Sequence, residues 1–157
     1  MVEIVTNEGG GALYISDLMQ NLGHRIIHTI DIVKTSRWLV TEHPRIKCFT
    51  DGWENHDVKN ANGYNKVIVI EDATHMYKYT LAALRKFAPL VSIRSYLIVG
   101  DGIINELGKE SAYHGGLLKA INEFLAENKD FSTDRKWCDF FGKNATFNVN
   151  GYLKWEV

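Results

Sequence analysis

The chain has 157 residues, of which 45% are hydrophobic and 24% charged, with a formal net charge of −1. This length fits one domain with a substantial core, and the composition excludes a disordered chain. The near-neutral charge argues against a nucleic-acid binder with a broad basic surface, and no apolar run approaches the roughly 20 residues that span a bilayer. Cys48 and Cys138 lie outside any CxxC pattern, which is typical of free thiols in a reducing compartment. We therefore predict a single cytoplasmic domain over residues 1–157, without nucleic-acid or membrane partners.

Apolar runs alternate with helical periods along the chain, which predicts βαβ units and a mostly parallel sheet. The predicted strands occupy residues 2–6, 25–32, 46–49, 67–70 and 96–99. The predicted helices occupy residues 12–22, 36–42, 76–87 and 116–128. Two further strands, compatible with antiparallel pairing, are predicted at 131–137 and 147–155. The pattern indicates an α/β fold.

Acidic residues end or follow four successive predicted strands. They are Asp31, Asp51, the pair Glu71-Asp72, and Asp101. In open α/β sheets, ligands bind beyond the carboxyl ends of the strands, so these positions predict a ligand site. The alternative interpretation is that aspartates at such positions cap helices.

A glycine turn, Gly9-Gly10-Gly11, follows the first predicted strand and precedes a helix. Glycines there let a ligand approach the backbone and expose amides at the helix N-terminus. The turn fits neither GxGxxG nor a phosphate-binding P-loop. Asp31 comes about twenty residues later and suits the two hydroxyls of a ribose. Together they favour a ligand that carries a nucleoside.

A second group of polar residues follows the fourth and fifth predicted strands. Oxygen ligands from Asp72 and Asp101 would suit a hard cation such as Mg²⁺. His75 is a candidate general base, because imidazole titrates near neutrality. The alternative for His75 is a residue at a helix N-terminus with local hydrogen bonds. His56 and His114, in predicted loops, are secondary candidates.

Three segments carry a family signature: VIVIEDATH at 67–75, APLVS at 88–92 and SYLIVGDG at 95–102. With VEIVTNEGG at 2–10 and HTIDI at 28–32, they resemble the cephalosporin hydroxylase and rhamnosyl O-methyltransferase family. The resemblance spans nearly the whole chain. It implies a Rossmann-like methyltransferase fold, which is a three-layer sandwich. Its seven-stranded sheet is mostly parallel, with an antiparallel last strand.

The resemblance also implies S-adenosylmethionine and Mg²⁺ as cofactors. Asp72 and Asp101 would hold the metal, Asp31 the cofactor ribose, and Asp51 would lie near the adenine. The cofactor-binding candidates are Glu3, Thr6, Asn7, Gly9, Gly10, Asp31 and Asp51. The metal would lower the pKa of a substrate hydroxyl and His75 would act as the base, so that His75 and Asp72 are the catalytic candidates.

Two positions depart from the family pattern. Val5 stands at the place of the first motif glycine, and Gly100 at the place of a metal-binding glutamate. Glu71 could compensate as a ligand, but strand alternation points it away from Asp72. The family's usual N-terminal extension is also expected to be missing.

Two functions therefore stay open. The first is a Mg²⁺-assisted O-methyltransferase that acts on a hydroxyl of a sugar or small natural product. The second is a catalytically degenerate binding or interaction domain that keeps the fold. A small-molecule hydroxyl acceptor is the expected partner, and the resemblance allows for a homo-oligomer. A different nucleotide-using α/β enzyme is less favoured, because phosphate-cradling motifs are absent from the sequence.

Overall fold

The computed structural model describes residues 1–23, 26–35 and 37–156. The chain divides into two units, one ending at Gly63 and the other beginning at Tyr64. Arg25 and Ser36, where two predicted elements begin, lie outside the described residues. The division does not test the single domain expected from the sequence, which stays a prediction.

The first unit contains three parallel strands in the spatial order β3, β2, β1. They are β1 (Val2–Ile4), β2 (Ile27–Ile30) and β3 (Ile46–Phe49). Ile4 lies opposite Ile30, and Ile30 lies opposite Phe49, so the three strands end side by side. The residues that follow them therefore begin neighbouring loops.

Helices and turns complete this unit. They are α1 (Gly10–Asn21), α2 (Trp38–Thr41), α3 (Gly52–Asn55) and a 3₁₀ turn at Val58–Ala61. Ala12 of α1 and Val40 of α2 pack with Ile27 and Ile46 in one buried cluster. Burial of each such branched side chain contributes about 1.5–3 kcal/mol, which fixes the helices against the strands.

The second unit contains four strands in the order β4, β5, β7, β6. They are β4 (Val69–Glu71), β5 (Tyr96–Val99), β6 (Phe131–Thr133) and β7 (Tyr152–Trp155). β4 and β5 are parallel, whereas β7 is antiparallel to both β5 and β6. The seven strands of the described chain thus confirm the predicted α/β class, mostly parallel with an antiparallel last strand.

The helices of the second unit are α4 (Tyr77–Phe87), α5 (Ile103–Glu106), α6 (Gly116–Glu127) and α7 (Arg135–Cys138), with 3₁₀ turns at Ala88–Leu90 and Glu110–Tyr113. α4 packs against α6. The side chains of Leu84, Phe87 and Phe124 are fully buried. The longest helices, α1 and α6, have 12 residues, and no helix in the described part of the chain is long and apolar enough to cross a bilayer.

Two predicted strands near the C-terminus were partly wrong. The segment 131–137 divides into β6 and α7, because the Asp134 side chain caps the helix by accepting a hydrogen bond from the Lys136 amide (3.0 Å). In the segment 147–155 only Tyr152–Trp155 is a strand. Asn150 has a left-handed backbone (φ 57°), which ends an extended conformation before β7 begins.

Candidate functional site

Three polar side chains converge beyond the ends of β4 and β5. Asp72 directly follows β4, His75 follows three residues later, and Asp101 lies two residues beyond β5. One potential ligand atom from each lies within 4.8 Å of the others, and His75 Nε2 is 3.3 Å from Asp101 Oδ2. Because Glu71 lies opposite Val99 in a parallel register, the segments after β4 and β5 begin next to each other. The structure thus brings together the residues predicted as catalytic and metal-binding.

The charges at this triad (Asp72, His75 and Asp101) favour a bound cation. Partial burial raises the pKa of the Asp72 carboxyl, and the negative charge of Asp101 raises this pKa further, while His75 lowers it. Two neighbouring carboxylates disfavour each other's ionisation unless a positive charge compensates them. A divalent cation would supply that charge.

The backbone holds two of the three residues in a strained conformation. His75 and Asp101 have left-handed φ angles of 59° and 52°. Such a conformation costs a non-glycine residue on the order of 1 kcal/mol, although His and Asp adopt it more often than most residues. The backbone turns at these positions aim both side chains into the cluster.

Gly100 lies directly against the Asp72 carboxylate. A Cβ atom at residue 100 would overlap Asp72 Oδ1 and lie 2.7 Å from Asp72 Cγ. The space that a side chain at this position would need is therefore occupied by Asp72. A glutamate at residue 100 would require Asp72 to move.

We expect Gly100→Ala to displace Asp72, to weaken divalent-cation affinity at least about 10-fold and to lower the free energy of unfolding by about 1–3 kcal/mol. Calorimetric titration with Mg²⁺ and urea denaturation would measure both. Gly10→Ala is the matched control, because a Cβ atom there meets nothing within 4 Å among the described residues. Cation affinity that is equal in the two variants would contradict the coupling of Gly100 to Asp72.

Glu71 does not belong to the triad. Its side chain is 1% exposed, and burial raises its pKa to about 7. Oε1 accepts a hydrogen bond from the Ala73 amide (3.3 Å), and Oε2 has no hydrogen-bond partner in the described part of the chain. This placement agrees with the strand alternation that directed Glu71 away from Asp72. Glu71 therefore does not replace the glutamate expected at residue 100.

In the first unit, the glycine turn leads into α1. Gly9 precedes the helix with a left-handed φ of 77°, and a Cβ atom there would lie 2.5 Å from Val40 Cγ2. A Cβ atom at Gly10, by contrast, would meet no described atom within 4 Å. The helix N-terminus is thus open at Gly10, and its free amides suit a polar or anionic ligand group.

Glu3 and Thr6, predicted to bind cofactor, are buried near this turn. Glu3 Oε2 accepts a hydrogen bond from Thr29 Oγ1 (2.6 Å), and Thr29 Oγ1 lies 2.8 Å from Thr6 Oγ1. Glu3 Oε1 would be 2.6 Å from a Cβ atom at Gly11. These buried contacts stabilise the glycine turn. Direct cofactor binding by Glu3 or Thr6 stays a prediction.

Asp31 binds the backbone of two loops. Its Oδ2 accepts hydrogen bonds from the amides of Thr6 (3.1 Å) and Asn7 (2.8 Å). Its Oδ1 accepts from the amides of Ile32 (2.7 Å) and Val33 (3.3 Å). A carboxylate has about four acceptor positions, so these four donors occupy them all. A ribose hydroxyl would have to replace one of these amides.

Val5 has a backbone conformation that favours glycine. Its φ is 83°, and its amide donates to the Ile30 carbonyl (2.9 Å). A left-handed conformation costs a residue with a Cβ roughly 1–2 kcal/mol, and β-branched residues rarely adopt it. The place of the first family glycine therefore still has a glycine-like backbone, although a valine side chain occupies it.

Asp51, predicted to lie near the adenine, pairs with His56, a secondary candidate from a predicted loop. His56 Nδ1 is 3.3 Å from Asp51 Oδ1, and His56 is 3% exposed. Its ring packs edge-on against Phe49 at 4.6 Å between centroids. The two residues flank the four-residue helix α3, and this position of an acid and a histidine at the two ends of one short helix is the sequence signal that could have indicated the pair.

Comparisons with known proteins identify the family. The chain matches the family described as Rhamnosyl O-methyltransferase/CmcI over residues 1–156, and it belongs to that family. A search of curated proteins returned no significant match.

Two solved structures share the fold. A CmcI structure described as a Mg–SAM form is 18% identical with a TM-score of 0.65 over 98% of this chain and 62% of that one. An apo structure of CmcI is 17% identical with a TM-score of 0.58 over 99% of this chain and 64% of that one. The chain therefore spans less than two thirds of the length of these CmcI chains. The likeness confirms the methyltransferase-type fold that the resemblance implied.

Proposed function

We propose that the protein is an S-adenosylmethionine-dependent O-methyltransferase that uses a divalent cation and acts on a hydroxyl of a sugar or small natural product. The convergence of Asp72, His75 and Asp101 within 4.8 Å, in a chain of the Rhamnosyl O-methyltransferase/CmcI family, carries this proposal. The description of one CmcI structure as a Mg–SAM form supports the choice of cofactors.

The first unit supplies the cofactor-binding residues of the proposal. The open N-terminus of α1 at Gly10 admits a polar group close to the backbone. Asp31 holds the Thr6 and Asn7 amides in place and accepts a ribose hydroxyl in exchange for one of its amide donors. Asp51, which pairs with His56, accepts a hydrogen bond from the adenine of the cofactor.

The second unit supplies the residues for the acceptor hydroxyl. When bound, S-adenosylmethionine provides the methyl group, and a divalent cation provides positive charge that lowers the pKa of the hydroxyl. Asp72 and Asp101 would hold the cation and so would orient the acceptor hydroxyl. The strained backbone at His75 and Asp101 keeps these side chains in position before the ligands bind.

Calorimetric titration with S-adenosylmethionine, alone and with Mg²⁺, tests the proposal. We expect micromolar to millimolar cofactor affinity, followed by transfer of a labelled methyl group to a hydroxylated acceptor from a panel of sugars and phenols. A folded sample that does not bind S-adenosylmethionine, with or without a divalent cation, would overturn it.

Val5 favours a second candidate function, a binding domain that has lost turnover, because its side chain occupies the place of a family glycine. We expect Val5→Gly to raise the free energy of unfolding by about 1 kcal/mol, since it relieves left-handed strain at some cost in chain entropy. Urea denaturation checks this value. Asn7→Gly is the control, because Asn7 also has a positive φ (47°) but tolerates it better.

Cofactor affinity of the same variant separates the two functions. If the protein is an enzyme, Val5→Gly leaves S-adenosylmethionine affinity within a few-fold of wild type. A gain of about 10-fold or more, together with methyl transfer that the wild type lacks, would instead support decay from an enzyme.

A further inference from the structure

The triad offers a mixed set of donor atoms. Asp72 and Asp101 contribute carboxylate oxygens, and His75 contributes an imidazole nitrogen. Gly100 contributes no side chain, and the Asp72 carboxylate occupies the space beside it. The described residues at this place thus provide two oxygens and one nitrogen.

The separation of His75 and Asp101 fits shared ligation better than a direct ion pair. His75 Nε2 and Asp101 Oδ2 are 3.3 Å apart, whereas a charge-assisted hydrogen bond is typically about 2.7–2.9 Å long. Two ligand atoms at about 2.0–2.2 Å from a common ion lie about 2.8–3.1 Å from each other at octahedral angles and about 3.3–3.6 Å from each other at tetrahedral angles. The distance therefore matches two atoms that bind one cation.

The orientation of the His75 imidazole leaves one ring nitrogen, Nε2, to bind a cation. His75 Nδ1 is buried without a hydrogen-bond partner in the described part of the chain, while Nε2 faces Asp101. The ring packs edge-on against Tyr113, with 6.0 Å between centroids. Ring packing and the left-handed backbone of His75 together fix Nε2 toward the carboxylates.

We infer that His75 is the third protein ligand of the cation, beside Asp72 and Asp101, and that the site binds Mn²⁺ and Co²⁺ more tightly than Mg²⁺. The inference rests on the proposed function only for the presence of a cation at this site. Imidazole suits later first-row metals, whereas Mg²⁺ prefers oxygen ligands. His75 thereby replaces the carboxylate that the chain lacks at Gly100. Because a nitrogen bound to a cation is not free to take a proton, His75 as a ligand would not be the base predicted from the sequence, and the proton of the acceptor hydroxyl would pass to solvent.

Metal binding to the whole chain, without cofactor or acceptor, tests the inference. Pulsed electron paramagnetic resonance of the Mn²⁺-loaded protein is expected to show ¹⁴N coupling from one imidazole. His75→Asn removes this coupling and lowers Co²⁺ affinity at least about 10-fold, with a smaller effect on Mg²⁺. His114→Asn is the matched control, because both histidines have left-handed φ angles (59° and 54°) that asparagine tolerates.

Absence of ¹⁴N coupling in the wild type, or equal Co²⁺ affinity in wild type and His75→Asn, would overturn the inference. So would a variant that shifts only the pH profile of methyl transfer, since that result assigns His75 as a base. If His75→Asn fails to fold, labelling the wild type with ¹⁵N-histidine still tests for a histidine ligand, and His75→Gln tests which of the six histidines it is. His75-dependent Co²⁺ binding without S-adenosylmethionine affinity would support the inference and refute the proposed function.

Discussion

We expect Glu71→Gln to gain free energy of unfolding over the wild type as the pH rises. The difference between variant and wild type is about 3 kcal/mol larger at pH 7 than at pH 4.5. Burial of the Glu71 side chain raises its pKa from 4.5 to about 7. Between these values the folded protein retains a proton that the unfolded chain has released. The stability associated with Glu71 is therefore complete below pH 4.5 and is lost as the pH rises to about 7. A glutamine is neutral throughout and shows no such loss.

His28 has the opposite effect, so the wild type alone would not reveal the contribution of Glu71. Burial lowers the pKa of His28 from 6.5 to about 4, with smaller contributions from Lys47, the N-terminus and His56. Between these values the unfolded chain binds a proton that the folded protein excludes, and stability rises with pH. The two slopes nearly cancel from about pH 4.5 to 6.5. Only the difference between variant and wild type isolates Glu71.

Urea denaturation from pH 4.5 to 8, with a chelator present, measures this difference. Glu106→Gln is the control, because it makes the same change at an exposed glutamate of the same unit. A difference between Glu71→Gln and wild type that stays constant with pH would show that the folded protein tolerates the Glu71 charge.

The bounds of a strand were predictable where a run of apolar residues coincides with the segment that the fold buries. The bounds of β3 and β5 match the predicted strands, since apolar runs with clear breaks define them. Helices α4 and α6 end within one residue of their predicted bounds, because Pro89 and the polar residues after 127 stop the periodic pattern. The strand predicted at 131–137 was partly wrong, because the hydrogen bond from the Lys136 amide to the Asp134 side chain starts a helix and outweighs the strand propensity of the sequence.

The triad was predictable because parallel strands place their carboxyl ends at one edge. Asp72, His75 and Asp101 were found by this rule, because all three follow the fourth or fifth predicted strand. The contact of Gly100 with Asp72 was not predictable, since it depends on the path of two loops. The four amide donors to Asp31 were also not predictable. The sequence shows that an acid ends a strand, but it does not show which backbone amides lie within hydrogen-bond distance of that acid.

Asp31→Ala is expected to lower the free energy of unfolding by about 2 kcal/mol and to weaken S-adenosylmethionine affinity about 10-fold or more. The stability loss follows because the amides of Thr6, Asn7, Ile32 and Val33 lose their acceptor. Water can replace it at the three exposed amides, but the buried position of Thr6 limits such replacement. The affinity loss is expected because the loop that contains Asn7, a proposed cofactor-binding residue, is no longer held.

Asp31→Asn separates the structural role from the ligand role. Asparagine keeps one acceptor oxygen, which can serve either pair of amides, so about half of the stability loss should remain. If Asp31 also accepts a ribose hydroxyl, affinity in Asp31→Asn falls as far as in Asp31→Ala, because the single oxygen stays occupied by the backbone. Thermal melts and cofactor titration of both variants measure the two quantities together. Reduced stability with unchanged affinity in both would mean that Asp31 only organises the loops after β1 and β2.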